Sequence, residues 1–137
     1  MTTHTASCRC GQLRATVTGE PVRVSVCHCL NCKKRSGSAF AVQARWPSKQ
    51  VGIEGQSKSY KQVSDSGNWG EFHFCPGCGS DVYYKNDGPT VDAKFADMVA
   101  IPLGVFDDPY FLTPHFSVWE SRKHDWVEIV GDTIERD

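Results

Sequence analysis

The sequence predicts a mainly β protein of small antiparallel sheets, stapled by metal-bound cysteines. Three observations point there. Apolar residues alternate with polar ones in short runs, as on strands with one buried face. Glycine, proline, asparagine and aspartate punctuate the gaps. Seven cysteines fall into three tight groups, with none outside a group.

The elements follow in order. Leu13, Ala15 and Val17 alternate with polar neighbours and stop at Gly19. Val22, Val24 and Val26 alternate again and run straight into Cys27. Further strands are predicted over residues 40–45, 51–54, 59–63, 71–74, 82–84, 98–102, 116–119 and 126–130. Turns are expected at Asp65-Ser66-Gly67-Asn68 and Asn86-Asp87-Gly88-Pro89. Helix is limited to one or two short turns, the first running from near Asn31 to Ser36. No internal repeat, linker or low-complexity tract interrupts the 137 residues. One domain over 1–137, with its core at about 7–130, is the expectation for this length.

A net charge of −1 at pH 7 gives no electrostatic reason to expect nucleic acid or an anionic membrane as partner. The first seven residues carry no basic region and no apolar stretch, so no signal peptide is expected. No apolar run approaches the length of a membrane span. A cytoplasmic location, where thiols stay reduced, is therefore expected. A homo-oligomer is left open, with no residue pattern indicating one.

The cysteines carry the chemistry. Cys8 and Cys10 form a C-x-C pair followed by Gly11. Cys27, Cys29 and Cys32 form a C-x-C-x-x-C triple, and Cys75 and Cys78 a C-x-x-C knuckle followed by Gly79. Thiolates two or three residues apart on a tight turn can reach one soft cation. Seven divides as four plus three. The two pairs would close a structural zinc site, and the triple would make a site with one open position. In the β fold, hairpin turns would carry the pairs. A rival partition joins Cys29 and Cys32 to Cys75 and Cys78, but strands Cys27 with a distant pair. Disulfides, or a redox C-x-x-C, are the other readings.

The string from Cys27 to Ser38, CHCLNCKKRSGS, resembles the core signature of the glutathione-dependent formaldehyde-activating enzyme family, which shares its domain type with centromere-protein-V-like proteins. Ser7-Cys8-Arg9-Cys10-Gly11, Phe74-Cys75-Pro76-Gly77-Cys78-Gly79-Ser80 and Gly104-Val105-Phe106-Asp107-Asp108-Pro109 extend the resemblance, in order, over about residues 7–129. It implies a β-tent of small sheets and two zinc ions per chain. Cys8, Cys10, Cys75 and Cys78 would be the structural ligands, and Cys27, Cys29 and Cys32 the catalytic ones. It also implies a carbon–sulfur lyase that joins glutathione and formaldehyde into S-hydroxymethylglutathione. Two positions depart from the family pattern: Phe72 stands where a basic residue is common before His73, and Ser117 where a histidine is common before Val118-Trp119. Either is a candidate to line the substrate pocket.

The ligand set agrees with that chemistry. Three thiolates on zinc leave the site at about −1 by charge counting, a poor Lewis acid for water but a good seat for sulfur. A substrate thiol there loses its proton and can attack a small aldehyde. The triple can also be read as structural, completed by water, His28 or another side chain. Lys33, Lys34 and Arg35 are candidates to hold substrate carboxylates, or are a solvated charge run. His28 would point away from its ligand neighbours and act structurally. His73 and His115 read as satisfied polar residues, and the tryptophans and tyrosines as mostly core or sheet-face residues. The alternative function is a zinc-stabilised binding or thiol-carrier module without turnover.

Overall fold

A computed structural model describes residues 2–137. Eleven strands and one α-helix follow in order, with 3-10 turns at Ser48–Gln50, Ala93–Phe95, Leu103–Val105 and Glu120–Arg122. Strands β1 (Thr3–Ser7), β2 (Arg14–Thr18) and β5 (Val51–Glu54) make a three-stranded antiparallel sheet in the order β1-β2-β5. The other eight are β3 (Arg23–Cys27), β4 (Ala41–Pro47), β6 (Lys58–Val63), β7 (Trp69–Phe74), β8 (Asp81–Asp87), β9 (Met98–Pro102), β10 (Phe116–Val118) and β11 (Glu135–Arg136). They form one sheet in the order β11-β10-β3-β4-β9-β8-β7-β6. Helix α1 (Leu30–Ser36) sits between β3 and β4.

The mainly β expectation holds, and the predicted strands up to β10 fall within a residue or two of the observed ones, except that β8 runs three residues beyond the predicted 82–84. The sheets differ in size from the expectation. Eight strands gather into one sheet, and β10 pairs in parallel with both β3 and β11. No strand forms over 126–130. The place beside β10 is taken by β11, on the side away from β3. That segment turns instead, with Val127 N–H donating to the His124 carbonyl at 3.0 Å and Trp126 left 76% exposed. Strand β1 escaped prediction because its residues are nearly all polar. It forms because every residue from Thr3 to Ser7 pairs with β2.

The core fills the space between the two sheets. Ala6, Leu13, Ala15 and Val17 of the small-sheet layer meet Val24, Ala44, Trp46, Val99 and Ile101 of the large sheet. Trp46 is fully buried, packs against Phe106 and donates its indole N–H to the Gly19 carbonyl at 3.0 Å.

Strand alternation then sets the opposite face of the large sheet. Arg23, Ser25 and Cys27 of β3, with Gln43 and Arg45 of β4, line a cavity there. On β8 the pairing with β7 shifts register between His73 and Phe74, so that Val82 is skipped. Such a bulge re-aims the residues beyond it. Val82 joins the core while Tyr84, two residues on, lines the cavity.

Trp46→Ala removes the largest fully buried side chain and strands the Gly19 carbonyl. It is expected to cost about 3–5 kcal/mol, measured by urea unfolding of the metal-replete protein. Trp46→Phe should cost much less.

Candidate functional site

Two groups of thiols assemble, divided as four and three. Sγ atoms of Cys8, Cys10, Cys75 and Cys78 lie within 4.8 Å of one another, and so do those of Cys27, Cys29 and Cys32. The rival partition is not the one the fold brings together. All seven cysteines are free, so the disulfide reading does not hold.

The four-cysteine group is made by two hairpin turns. Cys8 and Cys10 stand between β1 and β2, and Cys75 and Cys78 between β7 and β8. Gly11 and Gly79 take φ of 85° and 79°, a region that side-chain-bearing residues avoid, and so close each turn under its cysteines. Cys8 Sγ lies 3.6 Å from Cys10 Sγ, which lies 3.7 Å from Cys75 Sγ. Zinc–sulfur bonds of about 2.3 Å in a tetrahedron place sulfurs about 3.8 Å apart, so the group fits a closed tetrathiolate. Its donors favour thiolates. Gln12 Nε2 and the Gly77 N–H donate to Cys75 Sγ at 3.0 and 3.3 Å, and the Leu13 N–H to Cys8 Sγ at 3.3 Å. Ser80 above all holds the Cys78 thiol down to about 5. Against a lowering Gln12 backbone N–H, the Cys8 and Cys75 sulfurs push Cys10 up to about 11. Sulfurs this close cannot all ionise unless a cation lies among them.

The triple spans the end of β3 and the start of α1. Cys29 is the N-cap, its Sγ accepting from the Cys32 N–H at 3.3 Å. Gly37, at φ 65°, ends the helix. Here too the proton is shared unevenly. A hydrogen bond from Cys27, aided by Cys29 and Arg35 and opposed by burial, holds Cys32 down to about 5. The same bond to Cys32, together with burial, pushes Cys27 up. Three sulfurs supply a metal seat one ligand short of closure.

His28 lies between two of these cysteines and is fully buried. Its Nε2 lies 2.9 Å from Ser117 Oγ, and Ser117 gives its own proton to the Glu120 carboxylate. The hydroxyl therefore accepts from Nε2–H. Burial holds His28 below the ordinary imidazole value, so it stays neutral. The chain His28–Ser117–Glu120 ties the cysteine turn to β10, as does the bond from the His28 N–H to the Val118 carbonyl. Ser117 is thus a buried support and not part of the cavity lining, whereas Phe72 does line the cavity.

The triple opens into the cavity, which has a volume of about 790 Å³ and is lined by Cys27, Cys29 and Cys32. None of the four-cysteine group lines it. Of the basic run, Arg35 alone faces it; its guanidinium lies 4.9 and 5.6 Å from the ring centres of Tyr84 and Phe72. Lys33 donates to the Arg122 carbonyl, and Lys34 is exposed outside the lining. Sequence reasoning missed Arg23, Arg45 and Tyr84. The signal for Arg23 was present, since it shares the alternation of Ser25 and Cys27. Ser117 and Glu120 left no local signal, lying about ninety residues from His28. The aromatic residues divide. Trp46 and Tyr84 are buried, but Tyr60, Trp119 and Trp126 are exposed, and Trp119 sits at the cavity lining with a left-handed φ of 57°. His73 is satisfied by Ser57 and Glu71, at 2.9 and 3.0 Å.

Fold and site together define a mainly β protein with two cysteine groups able to hold metal, one closed and one opening into a cavity. The family model for "Glutathione-dependent formaldehyde-activating enzyme" matches residues 3–122 of the 137, and the chain belongs to that family. No curated protein matches it. Among the described residues, no helix is long and apolar enough to cross a membrane.

The two groups should separate under mutation. Cys78→Ser opens the group that joins the two sheets, and a metal held there would supply folding free energy. It is expected to lower the thermal midpoint by about 10 °C or more. Cys32→Ser removes one side of a cavity and should lower it by under about 3 °C. Thermal melts with zinc present decide between them, and equal losses would make the triple structural.

Proposed function

We propose that this protein is a carbon–sulfur lyase that joins a thiol, glutathione, to formaldehyde as S-hydroxymethylglutathione, in either direction. The observation that carries the reading is a cysteine triple one ligand short of closure, opening into a cavity that also receives Arg35. The family name supplies the two substrates. A binding module would instead present a closed metal site under a flat apolar surface.

Cys8, Cys10, Cys75 and Cys78 would hold a structural zinc ion, and Cys27, Cys29 and Cys32 a second one. Zinc in the second site would supply a seat where a thiol sheds its proton at neutral pH. The chain supplies the rest. Arg35 stands beside Cys32 and offsets the negative charge of three thiolates. Among the described residues it forms no ion pair with a carboxylate, so its guanidinium is free to take one from the ligand. Phe72 and Tyr84 hold that guanidinium against their rings. His28, neutral and pinned through Ser117, keeps the Cys27–Cys29 turn in place.

Two measurements test this. Native mass spectrometry of zinc-supplemented protein should find two zinc ions per chain. In titration calorimetry, Arg35→Glu should weaken glutathione binding at least about tenfold, the worth of one charge-assisted contact, with zinc content unchanged. Lys34→Glu, outside the cavity, should change it by less than about twofold. A zinc-loaded wild type that binds no glutathione overturns the reading.

A further inference from the structure

Three arginines, Arg23, Arg35 and Arg45, line the cavity against two carboxylates, Asp65 and Asp92. Arg23 and Arg45 stand directly opposite each other across the β3–β4 pairing. Like charges at such a position repel. Both are half-buried, and among the described residues neither forms an ion pair. Each is held in place by aromatic groups. The Arg23 guanidinium lies 4.0 Å from the Phe116 ring centre, and Arg45 Nη2 donates to Tyr84 Oη at 3.3 Å. Burial first, and the Arg45 charge second, lower Arg23 below the ordinary guanidinium value, while Glu135 and Asp137 act on it only from beyond ion-pair reach. Two oriented guanidiniums with no carboxylate in ion-pair contact, facing a cavity, are an arrangement that an anion completes.

Position along the strand sets the scale. Arg23 lies four residues before Cys27 on β3, about 13 Å away at roughly 3.3 Å per residue. Ser25 and Gln43 stand opposite each other between them, joined at 3.1 Å. The reach of an arginine side chain shortens that gap to about 10 Å, the extended eight-bond path from the sulfur of glutathione to its γ-glutamyl carboxylate. A two-carbon thiol acid seated at the triple would end near Arg35 and fall short of the pair.

We infer that Arg23 and Arg45 form a second anion station, which binds the remote carboxylate of a peptide-length thiol whose sulfur lies at the cysteine triple. Arg35 takes a nearer anionic group, so the cavity selects for a ligand with two separated carboxylates. The inference deepens the thiol reading above and shares its cavity, but it makes a separate claim about charge.

The test follows the arginine Nε–Hε signals of zinc-loaded protein by NMR during three titrations. Glutathione carries the thiol and both carboxylates. S-methylglutathione keeps the carboxylates and blocks the thiol. Glutathione diethyl ester keeps the thiol and masks the carboxylates. The Arg23 and Arg45 signals should shift with the first two and stay still with the diester. Arg23→Gln and Arg45→Gln should each weaken S-methylglutathione at least about tenfold, with 2-mercaptoethanol affinity and zinc content unchanged. Arg45→Lys, which keeps the charge without the fork, should fall between wild type and Arg45→Gln. Signals that ignore both carboxylate-bearing probes, or that follow the diester equally, overturn the inference. Failure of the thiol reading has a different signature: the arginine signals shift with S-methylglutathione, yet glutathione binds no tighter than its thioether. That result keeps the anion station and removes the thiol from the triple.

Discussion

The junction between the two sheets rests on four sulfurs. Cys8 and Cys10 belong to the small-sheet hairpin, Cys75 and Cys78 to a hairpin of the large sheet, and their Sγ atoms share one tetrahedron-sized space. Among the described residues one isolated backbone bridge, between Ala6 and Phe106, adds direct pairing outside the named strands. The layers otherwise meet through apolar packing, which is non-directional, and through single hydrogen bonds such as Trp46 to the Gly19 carbonyl and the Arg9 N–H to Ser80 Oγ. A closed thiolate group sets their register, because it accepts one geometry. Gln12 reinforces it by bonding both to Cys75 Sγ and, through paired contacts at 2.7 and 2.9 Å, to Gln56.

Once that junction is set, the large sheet has one dry face and one functional face. Val24, Ala44, Trp46, Val99 and Ile101 are committed to the dry side. Period-two alternation then leaves Arg23, Ser25, Cys27, Gln43 and Arg45 no choice but the other. The bulge at Val82 allows one strand to serve both faces, packing Val82 and aiming Tyr84. Tyr84 is therefore central. Its ring lies near Arg35 and Arg45, and its hydroxyl accepts from Arg45.

The two cysteine groups differ in what surrounds them. Around the closed group the donors are neutral amides, which hold thiolates without adding net charge. Beside the triple stand Arg35 and, farther along β3 and β4, Arg23 and Arg45. Holding three guanidiniums about one cavity costs stability through their mutual repulsion. They stand about the open group and not the closed one, with the carboxylates of Asp65 and Asp92 also in the cavity lining.

Much of this was legible in the residues themselves. Cysteine spacing is local: two thiols on one tight turn must face one point, so the groups and their glycines could be read directly, as could the four-plus-three division. Strand alternation is local as well, and it located most strands. Sheet membership is not local. It is decided by which segments find a pairing partner: the polar residues 3–7 pair with β2 and become a strand, while 126–130 stay a turn. The same holds for charge. Lys33, Lys34 and Arg35 look equivalent in the chain, but one turn of helix sends only Arg35 into the cavity. Arg23 and Arg45, twenty-two residues apart, became a pair only when β3 and β4 aligned. The sequence by itself determined which groups could bind metal. Tertiary structure alone decided which charges face the cavity, because that depends on register between strands distant in the chain.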